Sequence, residues 1–99
     1  MQYTKKINYD GTGSGSEVTV YTFTESFKCV QVVQLHTGAG GYGSFSITDA
    51  TSVLSCTNVR QQNWDGRRCV IQTGIYYDVK NGSILKSKYS VGGTICCYN

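Results

Sequence analysis

The sequence predicts an all-β protein: a single-domain antiparallel β-sandwich or barrel of seven or eight short strands, of Greek-key type and disulfide-stapled. Three observations predict it. Apolar and polar residues alternate in short runs, the period of half-buried strands. Glycine separates those runs, with 12 Gly and no Pro in the chain. Five cysteines are spread through only 99 residues, a density that suits a small domain whose hydrophobic core is too modest to hold it alone.

Each element follows from its own pattern. Gln2–Tyr9 alternates as a first strand, and the glycine-rich stretch Asp10–Ser16 forms a loop. That loop lacks the Lys-Ser/Thr and helix of a phosphate cradle. Glu17–Thr24 and Phe27–Leu35 follow as strands; Val30, Val32 and Val33 make the second apolar on both faces and therefore central. His36–Gly43 reads as a turn and Ser44–Ile47 as a short strand. Thr48–Val59 is open between strand and a short helix capped by Asp49. Trp64-Asp65-Gly66 makes a turn, and Arg67–Thr73 and Ile75–Val79 are strands broken at Gly74. Asn81-Gly82 is the strongest hairpin signal in the chain. Gly92-Gly93 divides the last strands, Ile84–Val91 and Thr94–Tyr98. With no linker, residues 1–99 form one domain.

Charge excludes some functions. A net charge of +3 with scattered lysines is too weak for nucleic-acid binding, and no apolar run approaches the roughly 20 residues of a membrane helix. Zinc knuckles need closely spaced ligands and none occur, so neither metal nor cofactor is expected. Cys29, Cys56, Cys69, Cys96 and Cys97 are instead disulfide candidates, which places the protein outside the cell. Met1 then reads as an initiator added to a mature form. Five is an odd number, so one thiol is left to pair between chains as a homodimer or to stay buried.

The run Trp64-Asp65-Gly66 followed by Arg67–Val79 resembles the Greek-key motif of the βγ-crystallins: an aromatic-x-Gly fold-over, a strand, then Gly74-x-Tyr76 and Asp78. That family's glycine sits where the hairpin folds over at positive φ, a role Gly66 would fill. A fainter echo runs from Val18–Tyr21 and Phe27 to Asp49–Val53. Phe27-Lys28-Cys29 lacks the fold-over glycine, and Thr48-Asp49 and Ser87-Lys88 replace the calcium-loop residues. The resemblance therefore implies no calcium. It implies kinship in style with small secreted, killer-toxin-like antimicrobials and protease inhibitors.

Catalysis has little to work with. His36 is the only histidine, and a ribonuclease built on His36 or Glu25 with Arg67 or Arg68 would lack its second acid–base group. Binding is the expected activity. Asn58–Arg68 gathers amides and guanidinium groups around the only tryptophan, which makes Asn63, Trp64, Asp65, Arg67 and Arg68 the candidate contact residues. His36 and Tyr42 in the glycine-rich turn are a second candidate site. The expected function is that of a secreted toxin, effector or inhibitor acting on a protein target. The alternatives are a lectin-like module binding glycans, a coat or pilus subunit, and a small ribonuclease.

Overall fold

The computed structural model describes the backbone at residues 1–37, 44–64 and 67–99, and side chains at residues 1–36, 44–53 and 71–99. Its eight strands are β1 (Tyr3–Asp10), β2 (Val18–Thr22), β3 (Phe27–Thr37), β4 (Ser44–Ile47), β5 (Thr51–Trp64), β6 (Arg67–Val79), β7 (Ile84–Lys88) and β8 (Ser90–Tyr98). They form a five-stranded sheet, β1-β8-β3-β6-β5, and a three-stranded sheet, β2-β7-β4. Every pairing is antiparallel.

The pairings are nested: β1 with β8, β2 with β7, β3 with β6. One long antiparallel ribbon has rolled up, and the contacts β3·β8 and β4·β7 close the roll. This is jelly-roll winding. β5 departs from it by pairing with β6, which widens one sheet instead of completing the other.

Alternation decides what lies between the sheets. Val30 and Val32 on β3, Ile95 and Cys97 on β8, Tyr9 on β1 and Tyr76 on β6 face Ile47, Leu85 and Phe23 in one buried cluster. Each fully buried side chain of this size contributes about 1.5–3 kcal/mol, so this cluster is the main cohesive element. The Tyr21–Phe23 and Phe23–Phe27 rings meet edge to face, with centroids 5.1 and 6.3 Å apart.

One open reading is resolved and two sequence expectations are corrected. Asp49 caps no helix: it sits at φ 60°, outside the geometry a helix cap requires. The neighbouring Thr48 is tied to β7 instead, donating its N–H to the Ile84 carbonyl (3.0 Å) and accepting the Ile84 N–H on its hydroxyl (2.9 Å). Gly74 does not break β6. A Cβ there would come 2.9 Å from the Phe45 ring, so the glycine makes room for that ring. Gly92-Gly93 lies inside β8 rather than between strands; the chain turns three residues earlier, at Tyr89 with φ 56°.

Asn81-Gly82 does make a β-turn, with Ser83 N–H bonded to the Lys80 carbonyl at 2.9 Å and Gly82 at φ 95°. It is no hairpin, because β6 and β7 belong to different sheets. Bonds from Gly82 N–H to the Phe23 carbonyl (2.8 Å) and from Phe23 N–H to the Ser83 carbonyl (2.9 Å) hold the turn against the β2 end.

The expected staples are also corrected for the described cysteines: Cys29, Cys96 and Cys97 are all free. Register explains why. Cys29 lies opposite Tyr77 and Tyr98, Cys96 opposite Lys6 and Gln31, and Cys97 opposite Lys5 and Val30. A disulfide needs Cα atoms closer than about 7 Å, and diagonal positions lie about 7–8 Å apart. Adjacent residues Cys96 and Cys97 point to opposite faces. Cys56 and Cys69 sit opposite Thr73 and opposite Thr37 and Gln62; their side chains lie outside the described residues.

Candidate binding face of the five-stranded sheet

Only part of the sites expected from sequence lies within the described residues. Asn63, Trp64, Arg67 and Arg68 come together in the backbone, with Asn63 opposite Arg68 and Trp64 opposite Arg67 at one end of the β5–β6 pair. Their side chains, and all of Asp65, Gly66 and Tyr42, lie outside the described residues. His36 is not in a turn. It lies within β3, is 0% exposed, and points between the sheets.

There it belongs to a buried polar network. Its Nδ1 donates to the Lys88 carbonyl at 3.0 Å, which leaves Nε2 to accept from Gln34 Nε2 at 3.1 Å. Gln34 also donates to Ser87 Oγ at 2.6 Å and accepts from the Tyr9 hydroxyl at 2.8 Å. Ser87 passes its own proton to the Ser44 carbonyl at 2.9 Å. Burial lowers the His36 pKa, while hydrogen bonds to the Lys88 backbone and the Gln72 side chain partly offset this. Among the described residues no buried side-chain N or O is left without a partner. Every polar atom of this histidine therefore has a structural partner between the sheets.

Glu25, the other proposed base, is exposed and ion-paired with Lys5. Its partner Lys5 lies level with Val30, six strand residues from His36, so the rise of about 3.3 Å per residue keeps the two groups roughly 20 Å apart. An open cleft of about 250 Å³ lies near Glu25, lined by Ser26, Phe27, Lys28, Asp78, Val79, Lys80 and Asn99.

A broader feature emerges from the outer face of the five-stranded sheet. Registers place its residues in rows across the strands. One row runs Tyr3, Tyr98, Cys29, Tyr77; the next Lys6, Cys96, Gln31, Ile75; the next Asn8, Thr94, Val33, Thr73; the last Asp10, Gly92, Leu35, Ile71. Side-chain contacts confirm the shared face. The Tyr3 and Tyr98 rings meet edge to face at 5.7 Å, and Thr94 Oγ1 donates to Asn8 Oδ1 at 3.2 Å.

An outward sheet face is ordinarily polar. The three-stranded sheet obeys: Thr19, Lys86 and Ser46 share one outer row, and Ser44 pairs with Lys88 in the next. The five-stranded sheet does not. Among its described side chains the only charges in these rows are Lys6 and Asp10, both on the edge strand β1. Leu35 at 40% and Tyr77 at 38% exposed stand open to solvent on this face.

No protein-family model matches the chain, and no curated protein or solved structure matches it. The site therefore rests on geometry.

The signal for this face was present in the sequence. Gln31, Val33 and Leu35 alternate with Val30, Val32 and Gln34, and the "two-sided" character read there marks both a core and an exposed apolar surface. Which strands lie beside β3 was not readable, because those partners are 32 or more residues away along the chain.

Proposed function

We propose that this protein is a non-enzymatic binding protein whose working surface is the outer face of the five-stranded sheet, and whose partner is another protein. The observation that carries the reading is the stretch of this face on β8, β3 and β6, from Tyr98, Cys29 and Tyr77 to Leu35 and Ile71, where no described side chain is charged, beside a second sheet whose outer face is lysine-bearing. Contiguous exposed apolar area of this kind marks contact surfaces, and tyrosine with aliphatic neighbours is the composition of interface cores.

A protein partner is favoured over a glycan. Sugar stacking sets a ring beside charged or amide groups that bond hydroxyls. Here the tyrosines flank Cys29, and beyond Lys6 and the Gln31 amide the row beside them holds only Cys96 and Ile75, which is few groups to bond sugar hydroxyls. A toxin, effector or inhibitor would use the same face against its target. The extracellular setting was argued from disulfides, which do not join Cys29, Cys96 and Cys97, so the binding proposal stands apart from it.

A photo-crosslinking side chain at Ile75, with Lys86 on the other sheet as control, tests the reading in an extract of the native source. The expected result is a polypeptide adduct from position 75 and none from position 86. Equal adducts at both, or none at either, would overturn it.

A further inference from the structure

We infer that Cys29 and Cys96 together form a two-thiolate site for a soft monovalent metal ion, Cu(I), on the outer face of the five-stranded sheet. The site stands independently of any protein that this face contacts. Register, spacing and charge carry the inference.

Register places the pair. Cys29 lies opposite Tyr98 and Cys96 opposite Gln31, so the two cysteines occupy one diagonal of a single cell between β3 and β8. Both side chains belong to the outer face, because their chain neighbours Val30, Ile95 and Cys97 are buried between the sheets. Right-handed strand twist shortens this diagonal relative to the one joining Gln31 and Tyr98. Both thiols are free.

Spacing selects what they hold. Diagonal Cα atoms lie about 7–8 Å apart, with Cβ atoms somewhat closer, which is more than a sulfur–sulfur bond of about 2 Å closes. A metal ion between the thiols adds the missing reach. Metal–thiolate bonds of about 2.3 Å, placed in line, set the two sulfurs about 4.6 Å apart. Soft thiolate ligands select Cu(I), a d10 ion that accepts two ligands in line. A structural zinc ion requires four ligands, and among the described residues no three His, Cys, Asp or Glu side chains gather. The other two corners of the cell, Gln31 and Tyr98, offer a neutral amide and a phenol, both poor ligands for a soft ion.

Charge completes the site. On binding, each thiol gives its proton to solvent, and two thiolates around one monovalent ion leave a single negative charge. Lys6 on β1 is the register partner of Cys96, so its ammonium stands on the same face and offsets that charge. On the other side Cys29 is buried, in a row between Tyr98 and Tyr77. Such an aromatic surround limits access of water and oxidant to the metal.

Anaerobic titration of the purified, reduced protein with Cu(I), in competition with the coloured Cu(I) chelator bicinchoninate, tests this. One equivalent is expected to be retained, with two sulfurs around copper in its X-ray absorption spectrum. Cys96→Ser, at a partly exposed position, is expected to fold and to lose at least about a hundredfold in Cu(I) affinity. Lys6→Glu is expected to weaken binding about tenfold. The double variant Cys56→Ser/Cys69→Ser is expected to retain the equivalent. Should that variant not fold, the wild-type protein supplies a second reading: one equivalent of Cu(I) should block alkylation of Cys96 at pH 8, and one equivalent of Zn(II) should not. No retention against the chelator, three or more sulfurs around copper, or undiminished affinity in Cys96→Ser overturns the inference. So does loss of the equivalent in a folded Cys56→Ser/Cys69→Ser protein, or alkylation of Cys96 unaffected by Cu(I).

Discussion

The Tyr9 hydroxyl donates to Gln34 Oε1 at 2.8 Å although their strands, β1 and β3, are not neighbours. β8 runs between them, and Gly93 is the register partner of both residues. The bond exists because the intervening residue has no side chain. A Cβ on Gly93 would lie 2.1 Å from the Val33 carbonyl oxygen and 2.8 Å from the Tyr9 hydroxyl.

Gly93→Ala should therefore be among the most damaging small substitutions. It forces β8 away from β3 and breaks the Tyr9–Gln34 bond, so a loss of about 2–4 kcal/mol is expected in urea denaturation. An unchanged midpoint would show that the strand shifts freely there.

Tyr9→Phe isolates the hydrogen bond from the packing. It leaves Gln34 Oε1 buried without its donor, which costs about 1–3 kcal/mol. Tyr77→Phe, on the exposed outer face, should change stability by less than about 0.5 kcal/mol. The comparison is read from paired thermal or urea melts.

The pH dependence follows from His36. Its folded pKa is lowered below the ordinary 6.5, with burial the chief cause. The unfolded chain then binds more protons than the folded one as pH falls below about 6.5, so stability is full above that value and declines beneath it. The slope for one group is at most about 1.4 kcal/mol per pH unit. Urea melts between pH 7.5 and 5 should show this decline, and His36→Gln should flatten it.

The thiols should differ sharply in reactivity. Burial pushes the Cys97 thiol up to about 11, and burial raises Cys29 as well. Cys96 lies on the outer face and is only partly buried. Alkylation of the native protein at pH 8, followed by peptide mass spectrometry, should label Cys96 well before Cys97 or Cys29, because thiolate and access both control the rate. Equal labelling would contradict the placement of Cys97 between the sheets.

Much of the fold was legible in the chain. The all-β class and the strands at Phe27, Ser44 and Ile84 follow from two-residue alternation, a property of each segment alone. The cleavage at Gly74 and at Gly92-Gly93 was misread for a common physical reason. A glycine can open a turn or make way for a side chain from another strand, and only the neighbours, Phe45 in one case and Tyr9 in the other, decide which. Asn81-Gly82 likewise specifies a turn but not which sheet the chain enters afterward.

The same division holds for function. By itself the sequence determined that this is a β protein with one histidine, five cysteines and abundant tyrosine. Tertiary structure alone decided that the histidine is interior, that three of the thiols face no cysteine partner, and that tyrosines from β1, β6 and β8 share one surface. Alternation is local, so it survives in the sequence. Register joins residues as far apart as Tyr3 and Tyr98, and it is set by the packing of the whole roll.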